Sequence, residues 1–182
     1  EGAAPEKAAV EEYEKAYQAL KIPASAILYE DAHVLILNKP AGILTQKAKE
    51  GDYSLNEWMI GYLLHHGKIT AKDLALFKPS VCNRLDRNTS GMVLCGISLS
   101  GSQALSQLIR DREVKKYYRT IVKGVLNQGA VLEGDLKKNE AANMVTVSSA
   151  GVKRSLNAVR HILQIPFVYQ SVDLSALLVS LV

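Results

Sequence analysis

Cysteine is scarce in this chain: its 182 residues hold only Cys82 and Cys95. The pair matches no zinc spacing, and two cysteines alone are weak ground for a disulfide. Histidine is equally thin, with His33, His65, His66 and His161 scattered outside any ligand pattern such as His-Glu-x-x-His. No metal centre is expected. Long apolar runs are missing as well, and none approaches the roughly 20 residues that cross a bilayer. No membrane partner is expected. The N-terminus, Glu1 to Lys21, is charged and helix-forming, unlike a secretion signal. A cytoplasmic protein is the default reading. Internal repeats and low-complexity segments are absent too.

What is present reads as a globular chain. Hydrophobic residues make up 48% and charged residues 22%, a balance typical of one buried domain, with or without a small appendage. The net charge of +4 is unevenly spread. Residues 1–36 carry −4, residues 37–76 carry +1, residues 77–123 carry +6 and residues 124–182 carry +1. Clustered Lys and Arg are the electrostatic footprint of a polyanion partner. An amphipathic helix with a basic outer face explains the charge equally well.

Residues 5–21 read as a helix, with Val10, Tyr13, Tyr17 and Leu20 spaced by three and four between glutamates and lysines. Pro5 and Pro23 bracket it. We expect a linker helix outside the main core. Residues 27–38 read as two short strands around a polar turn, closed by the breaker Lys39-Pro40-Ala41-Gly42. From Thr45 to Gly51 a polar, flexible loop is expected. Leu55 to His65 has a helical pattern with Trp58, Met59, Tyr62 and Leu63 on the buried side. A second helix is expected from about Gln103 to Asp111, capped by Ser100 or Ser102. Its apolar face would be Ala104, Leu105, Leu108 and Ile109. Val114 to Val122 alternates as a strand, and Val131–Leu136 with Asn143–Val147 suits a hairpin. The nearly all-apolar stretch from Ile162 has no clear assignment.

The densest chemistry lies in Arg84-Leu85-Asp86-Arg87-Asn88-Thr89-Ser90-Gly91. One carboxylate stands between two arginines, and a Thr-Ser-Gly turn follows. The run Met92-Val93-Leu94-Cys95-Gly96-Ile97 then reads as a buried strand. Asp86 would thus sit on a loop pinned to a rigid sheet, where scaffolds commonly present reactive groups. The guanidiniums set positive charge beside the carboxylate, and their planar, donor-rich heads suit phosphate. Taken alone, Arg-x-Asp-Arg on a loop reads as a solvated ion-pair cluster. The wider pattern decides otherwise.

In order, the pieces resemble the RluA-type family of pseudouridine synthases. Ile27-Leu28-Tyr29-Glu30-Asp31 with Val34 to Gly42 is similar to that family's first motif, and Arg84 to Gly91 to its catalytic motif. Arg112-Glu113-Val114-Lys115-Lys116-Tyr117-Tyr118 is similar to its Lys-Lys-x-Tyr strand. The resemblance implies an α+β fold, a mixed and largely antiparallel central sheet flanked by helices. It implies isomerisation of uridine to pseudouridine in ribosomal RNA, or secondly transfer RNA, by a monomer without cofactor. Asp86 would be the nucleophile, attacking uracil carbon 6 or ribose carbon 1′, a role that suits a carboxylate. Tyr118 would stack on the flipped uracil, with its hydroxyl the candidate base for the carbon 5 proton. Tyr117 faces the other way by strand alternation and would pack. The target base must leave the RNA stack, a step the family associates with the arginine at Arg84. Arg87, Lys115, Lys116 and Lys39 would contact phosphates, although Lys39 also suits holding a loop.

Two departures stand out. Asn83 occupies a position where the family usually has histidine. The third motif, Gly-Arg/Lys-x-His-Gln-x-Arg, is expected after Val172-Asp173-Leu174, where this sequence reads Ser175 to Val182 in apolar residues. Asp86 would then lack the family's basic partner. The expected organisation is a linker helix over 1–25, following an RNA-binding domain that relatives often carry, and a C-terminally incomplete catalytic domain over 26–182. A catalytically impaired RNA-binding protein on the same scaffold is the alternative. A glycosidase using Asp86 with Asp111 or Glu113 needs a fixed carboxylate spacing that the sequence does not supply.

Overall fold

The structure is a computed structural model and describes residues 3–123, 135–139, 144–148, 159–169 and 172–181, with side chains over 8–119. The chain forms two compact units, Glu1–Asp111 and Arg112–Val182.

The first unit is built on a four-stranded antiparallel sheet. Strand β1 (Ile27–Glu30) pairs with β2 (Val34–Lys39), β2 with β4 (Gly91–Gly96), and β4 with β3 (Ser80–Val81). Period-two alternation sorts the side chains. Leu35, Leu37 and Lys39 of β2 and Val93 and Cys95 of β4 are buried on one face, joined by Val81 of β3. On β4, Val93, Cys95 and Gly96 are buried while Met92 is 59% exposed, so the run expected to be buried throughout is buried only in part. The β1–β2 turn is tied by Asp31, whose carboxylate accepts from the His33 and Val34 N–H groups, both at 2.7 Å. Those two bonds hold the Asp31 carboxyl below the ordinary carboxylate range.

Helix α2 (Leu55–His65) lies on the buried face, with the predicted bounds. Ser54 caps it by accepting from the Asn56 N–H. Leu55 through Leu63 are all buried, so the helix is enclosed around most of its circumference. Helix α1 (Ala3–Ala19) forms as expected but packs differently. It was expected to stand outside the core; instead it buries Tyr13 and Ala16 against α2. The stripe of Val10, Tyr13 and Tyr17 is the physical reason, because an apolar stripe at this spacing requires a partner. The approach is close enough that a Cβ at Gly61 would collide with the Tyr13 backbone carbonyl. We therefore expect Gly61→Ala to destabilise the chain by about 1–3 kcal/mol, read as a lowered thermal midpoint. An unchanged midpoint would mean that α1 is dispensable to the core.

Helix α3 (Ala71–Leu76) carries a capping box between Thr70 and Asp73. Helix α4 (Leu99–Arg110) starts four residues earlier than expected. Its cap is Ser98, whose hydroxyl accepts from the Gly101 N–H at 3.1 Å, leaving Ser100 and Ser102 inside the first turns. Of its expected apolar face, Leu105 is buried while Leu108 is 38% exposed.

In the second unit, β5 (Lys116–Lys123) pairs with β9 (Val172–Leu181), and β9 with β8 (Val159–Tyr169), all antiparallel. The apolar stretch from Ile162 that resisted assignment thus supplies most of β8 and all of β9, with β9 paired on both edges. β6 (Asp135–Asn139) and β7 (Met144–Ser148) pair as a hairpin; its first strand shares only Asp135 and Leu136 with the expected Val131–Leu136, and residues 131–134 and 143 lie outside the described ones. All named ladders are antiparallel, and the class is α+β.

Candidate active site

Asp86 sits on the loop between β3 and β4, fully in solvent reach, and it is flanked by the exposed side chains of Arg84 and Arg87. Among the described residues its carboxylate has no hydrogen bond and no ion pair within 4.0 Å, with either arginine or any other cation. The backbone around it is a different matter. Thr45 Oγ1 donates to the Leu85 carbonyl (2.6 Å) and accepts from the Leu85 N–H (3.1 Å). The Arg87 carbonyl accepts from the Gly42 N–H (2.7 Å) and from Lys39 Nζ (3.2 Å). The Thr89 N–H closes a turn onto the Asp86 carbonyl at 3.1 Å. Both neighbours of Asp86 are therefore held by one segment, the β2–α2 loop, while the carboxylate itself has no partner among the described residues.

That segment owes its shape to its residues. Gly42 adopts a φ of +89°, a left-handed conformation open to glycine, which aims its N–H at Arg87. Thr45 is buried, and its carbonyl accepts from the Asn56 N–H (3.1 Å) and Ser54 Oγ (3.2 Å) at the start of α2. A flexible loop was expected over Thr45–Gly51; its first residue is fixed to the core helix, and Lys47 makes an ion pair with Glu12 of α1.

Of the two roles expected for Lys39, a phosphate contact or the holding of a loop, the structure corrects the first and bears out the second. It is fully buried, and its ammonium donates to the carbonyls of Pro40 (3.0 Å), Ile43 (2.7 Å) and Arg87 (3.2 Å). A polyanion has no access to it. Burial pulls its pKa down, and the negative charge of Asp86 opposes that shift. Lys39 is the buried cation behind the Asp86 loop.

Asn83, at the position of the family departure, also has a defined task. Its side-chain amide donates to the Met92 carbonyl (3.1 Å) and accepts from the Leu94 N–H (2.7 Å). It thus continues the β3 pairing along β4 beyond the end of the strand. From sequence Asn83 stands out only as a departure from the family pattern and Thr45 only as the start of a polar loop. Cys82 is half-buried and Cys95 buried; both are free thiols. Burial pushes both thiols up and away from thiolate chemistry. Among the described residues no group of three His, Cys, Asp or Glu side chains is placed to hold a metal.

The remaining site residues lie in the second unit. Lys115 and Lys116 are exposed at the start of β5. Tyr118 is half-buried, and its strand neighbour Tyr117, expected to pack, is 57% exposed. Tyr118 stands opposite Val179 of β9 in register.

Residues 33–172 match the model of a family described as RNA pseudouridylate synthase. The chain belongs to that family. Ribosomal large subunit pseudouridine synthase D of Borreliella burgdorferi is 36% identical over 104 residues, covering 56% of this chain and 31% of that protein. Ribosomal large subunit pseudouridine synthase C of Vibrio cholerae is 35% identical over 131 residues, covering 69% of this chain and 37% of its own length. The chain spans about a third of the length of these curated relatives. Among solved structures, Human RNA Pseudouridylate Synthase Domain Containing 1 superposes with a TM-score of 0.63 at 16% identity, over 85% of this chain and 58% of that one. A second human protein of this kind, Domain Containing 4, gives 0.59 at 18% identity, over 93% and 62%. At such identity the structures support the fold alone, and it is the pseudouridylate synthase fold.

Proposed function

We propose that the chain is part of an RNA pseudouridine synthase that isomerises uridine to pseudouridine in ribosomal RNA, acting as a cytoplasmic monomer. The single observation that carries this reading is the Asp86 loop. Its backbone is clamped on both sides of Asp86, yet the carboxylate is exposed and uncommitted. A group held still and left without a partner is arranged for a ligand. In the reaction the bond from uracil nitrogen 1 to ribose carbon 1′ breaks, and a bond from carbon 5 to carbon 1′ forms. The carbon 5 proton is lost and nitrogen 1, freed from the ribose, takes up a proton, so the product is an isomer. Asp86 attacks carbon 6 or carbon 1′ and is regenerated, a nucleophile dividing one hard step in two. Tyr118 stacks on the flipped base and takes the carbon 5 proton. Arg84 assists flipping, while Arg87, Lys115 and Lys116 hold phosphates. The ribosomal names of both relatives favour ribosomal RNA over transfer RNA.

The second reading is an RNA-binding protein on this scaffold without catalysis. It is favoured by Ser175–Leu181, the mostly apolar later part of β9, which stands where the resemblance calls for a basic motif facing the aspartate. One experiment separates the two. The chain is incubated with a ribosomal RNA transcript, which is cyanoethylated and read by mass spectrometry. Modified uridine is expected. Salt-sensitive binding without any modified uridine would establish the second reading instead.

A further inference from the structure

We propose that Thr45 is a positioning residue for Asp86, acting through Leu85; this rests on the reading of Asp86 as the nucleophile. A hydroxyl has one proton to donate and lone pairs to accept with. Thr45 uses both on a single residue 40 positions away, satisfying the carbonyl and the N–H of Leu85 together. Leu85 is the residue immediately before Asp86, and its side chain packs against the core. Thr45 is itself only 2% exposed and is fixed by the first turn of α2. A continuous path of short bonds therefore runs from the rigid core helix to the peptide that orients the carboxylate.

The other supports of the loop do not duplicate this one. Gly42 and Lys39 hold Arg87, on the far side of Asp86, and Asn83 fastens the loop to β4. Losing the Thr45 hydroxyl leaves those in place, so the loop stays folded while the backbone entering Asp86 is released. The side chains of Arg84 and Arg87 point into solvent and do not depend on it. The expected signature is a slower chemical step at unchanged RNA affinity.

The test compares the native chain with Thr45→Val, Thr45→Ala and Thr45→Ser. Three measurements are made: single-turnover uridine conversion, RNA affinity at fixed salt, and hydrogen exchange of the Leu85 amide. A misplacement of a reacting group by an ångström costs on the order of 100-fold, so Val and Ala are expected to slow conversion by about 10- to 100-fold. Their affinity should hold, and their Leu85 amide should exchange faster. Ser keeps the hydroxyl and should restore both exchange and rate. Having both Val and Ala guards against one of them failing to fold. Unchanged exchange in the folded variants overturns the clamp. Faster exchange at native rate overturns its role in the reaction. A native chain that converts no uridine overturns the functional reading and this proposal with it, whatever the exchange shows.

Discussion

Asp86→Asn is expected to abolish uridine conversion, by at least about 10⁴-fold, as removal of a nucleophile does elsewhere. The amide keeps the size and shape of the carboxylate but cannot donate an electron pair to carbon. Nothing else about the loop should change. The Asp86 side chain is exposed and makes no hydrogen bond or ion pair among the described residues, so the backbone clamps keep their bonds and only the Lys39 ammonium loses a favourable charge nearby. Stability should shift by less than about 0.5 kcal/mol, the usual scale for exposed positions. RNA affinity should hold or rise, since a negative charge leaves a surface that approaches phosphates. Conversion is read by mass spectrometry of cyanoethylated RNA, stability by thermal melting, and affinity by titration at fixed salt. Near-native conversion by the Asn variant would remove Asp86 from the chemistry. Lost conversion together with lost folding would instead make the residue structural.

The parts of this site that were legible in the sequence are those with local signatures. The β1–β2 hairpin, the bounds of α2 and the loop position of Asp86 all follow from periodicity and turn residues within a dozen positions. Tertiary commitments were harder. Lys39 looked like a phosphate contact because lysines are almost never fully buried unless paired. What pairs it are three carbonyls, one of them 48 residues away on the Asp86 loop, and no local pattern announces them. Thr45 read as the start of a polar loop for the same reason, its partner being 40 residues distant. Helix α1 was the avoidable miss. Its apolar stripe of Val10, Tyr13 and Tyr17 stands between the charges in the sequence, and a stripe at that spacing calls for a partner. The central place of β9 was not readable, because Ala176–Val179 is an apolar run and the strand as a whole lacks the regular alternation that marks a half-buried strand.

Lys39→Met should weaken the fold of the first unit substantially. Methionine is unbranched and adaptable, so it can occupy much of the lysine's path with little loss of packing. What it cannot do is donate. The carbonyls of Pro40, Ile43 and Arg87 lose their ammonium donor, and Arg87 keeps only the Gly42 N–H. Each stranded acceptor costs roughly 1–3 kcal/mol, though part is recovered where water enters; a net loss of about 2–4 kcal/mol is expected. At roughly 2–4 °C per kcal/mol for a chain of this size, the melting midpoint should fall by about 5–15 °C. Lys39→Arg should not rescue it, because a planar fork does not fit a socket shaped for a compact ammonium.

The pH dependence gives an independent check on the same group. Burial holds the Lys39 pKa below its ordinary 10.5, so the folded chain releases that proton at lower pH than the unfolded chain does. Between the two values the unfolded state binds more protons, and stability therefore rises with pH. The Met variant has no such proton. The melting gap between native chain and variant should widen as pH climbs toward 10.5, measured by parallel thermal melts across that range. A gap that narrows over the range would mean that the ammonium is better stabilised in its socket than in water. In that case Asp86, the charge that opposes the effect of burial, would outweigh burial itself. The loop's carboxylate and its buried cation would then form a coupled pair rather than a scaffold and its cargo.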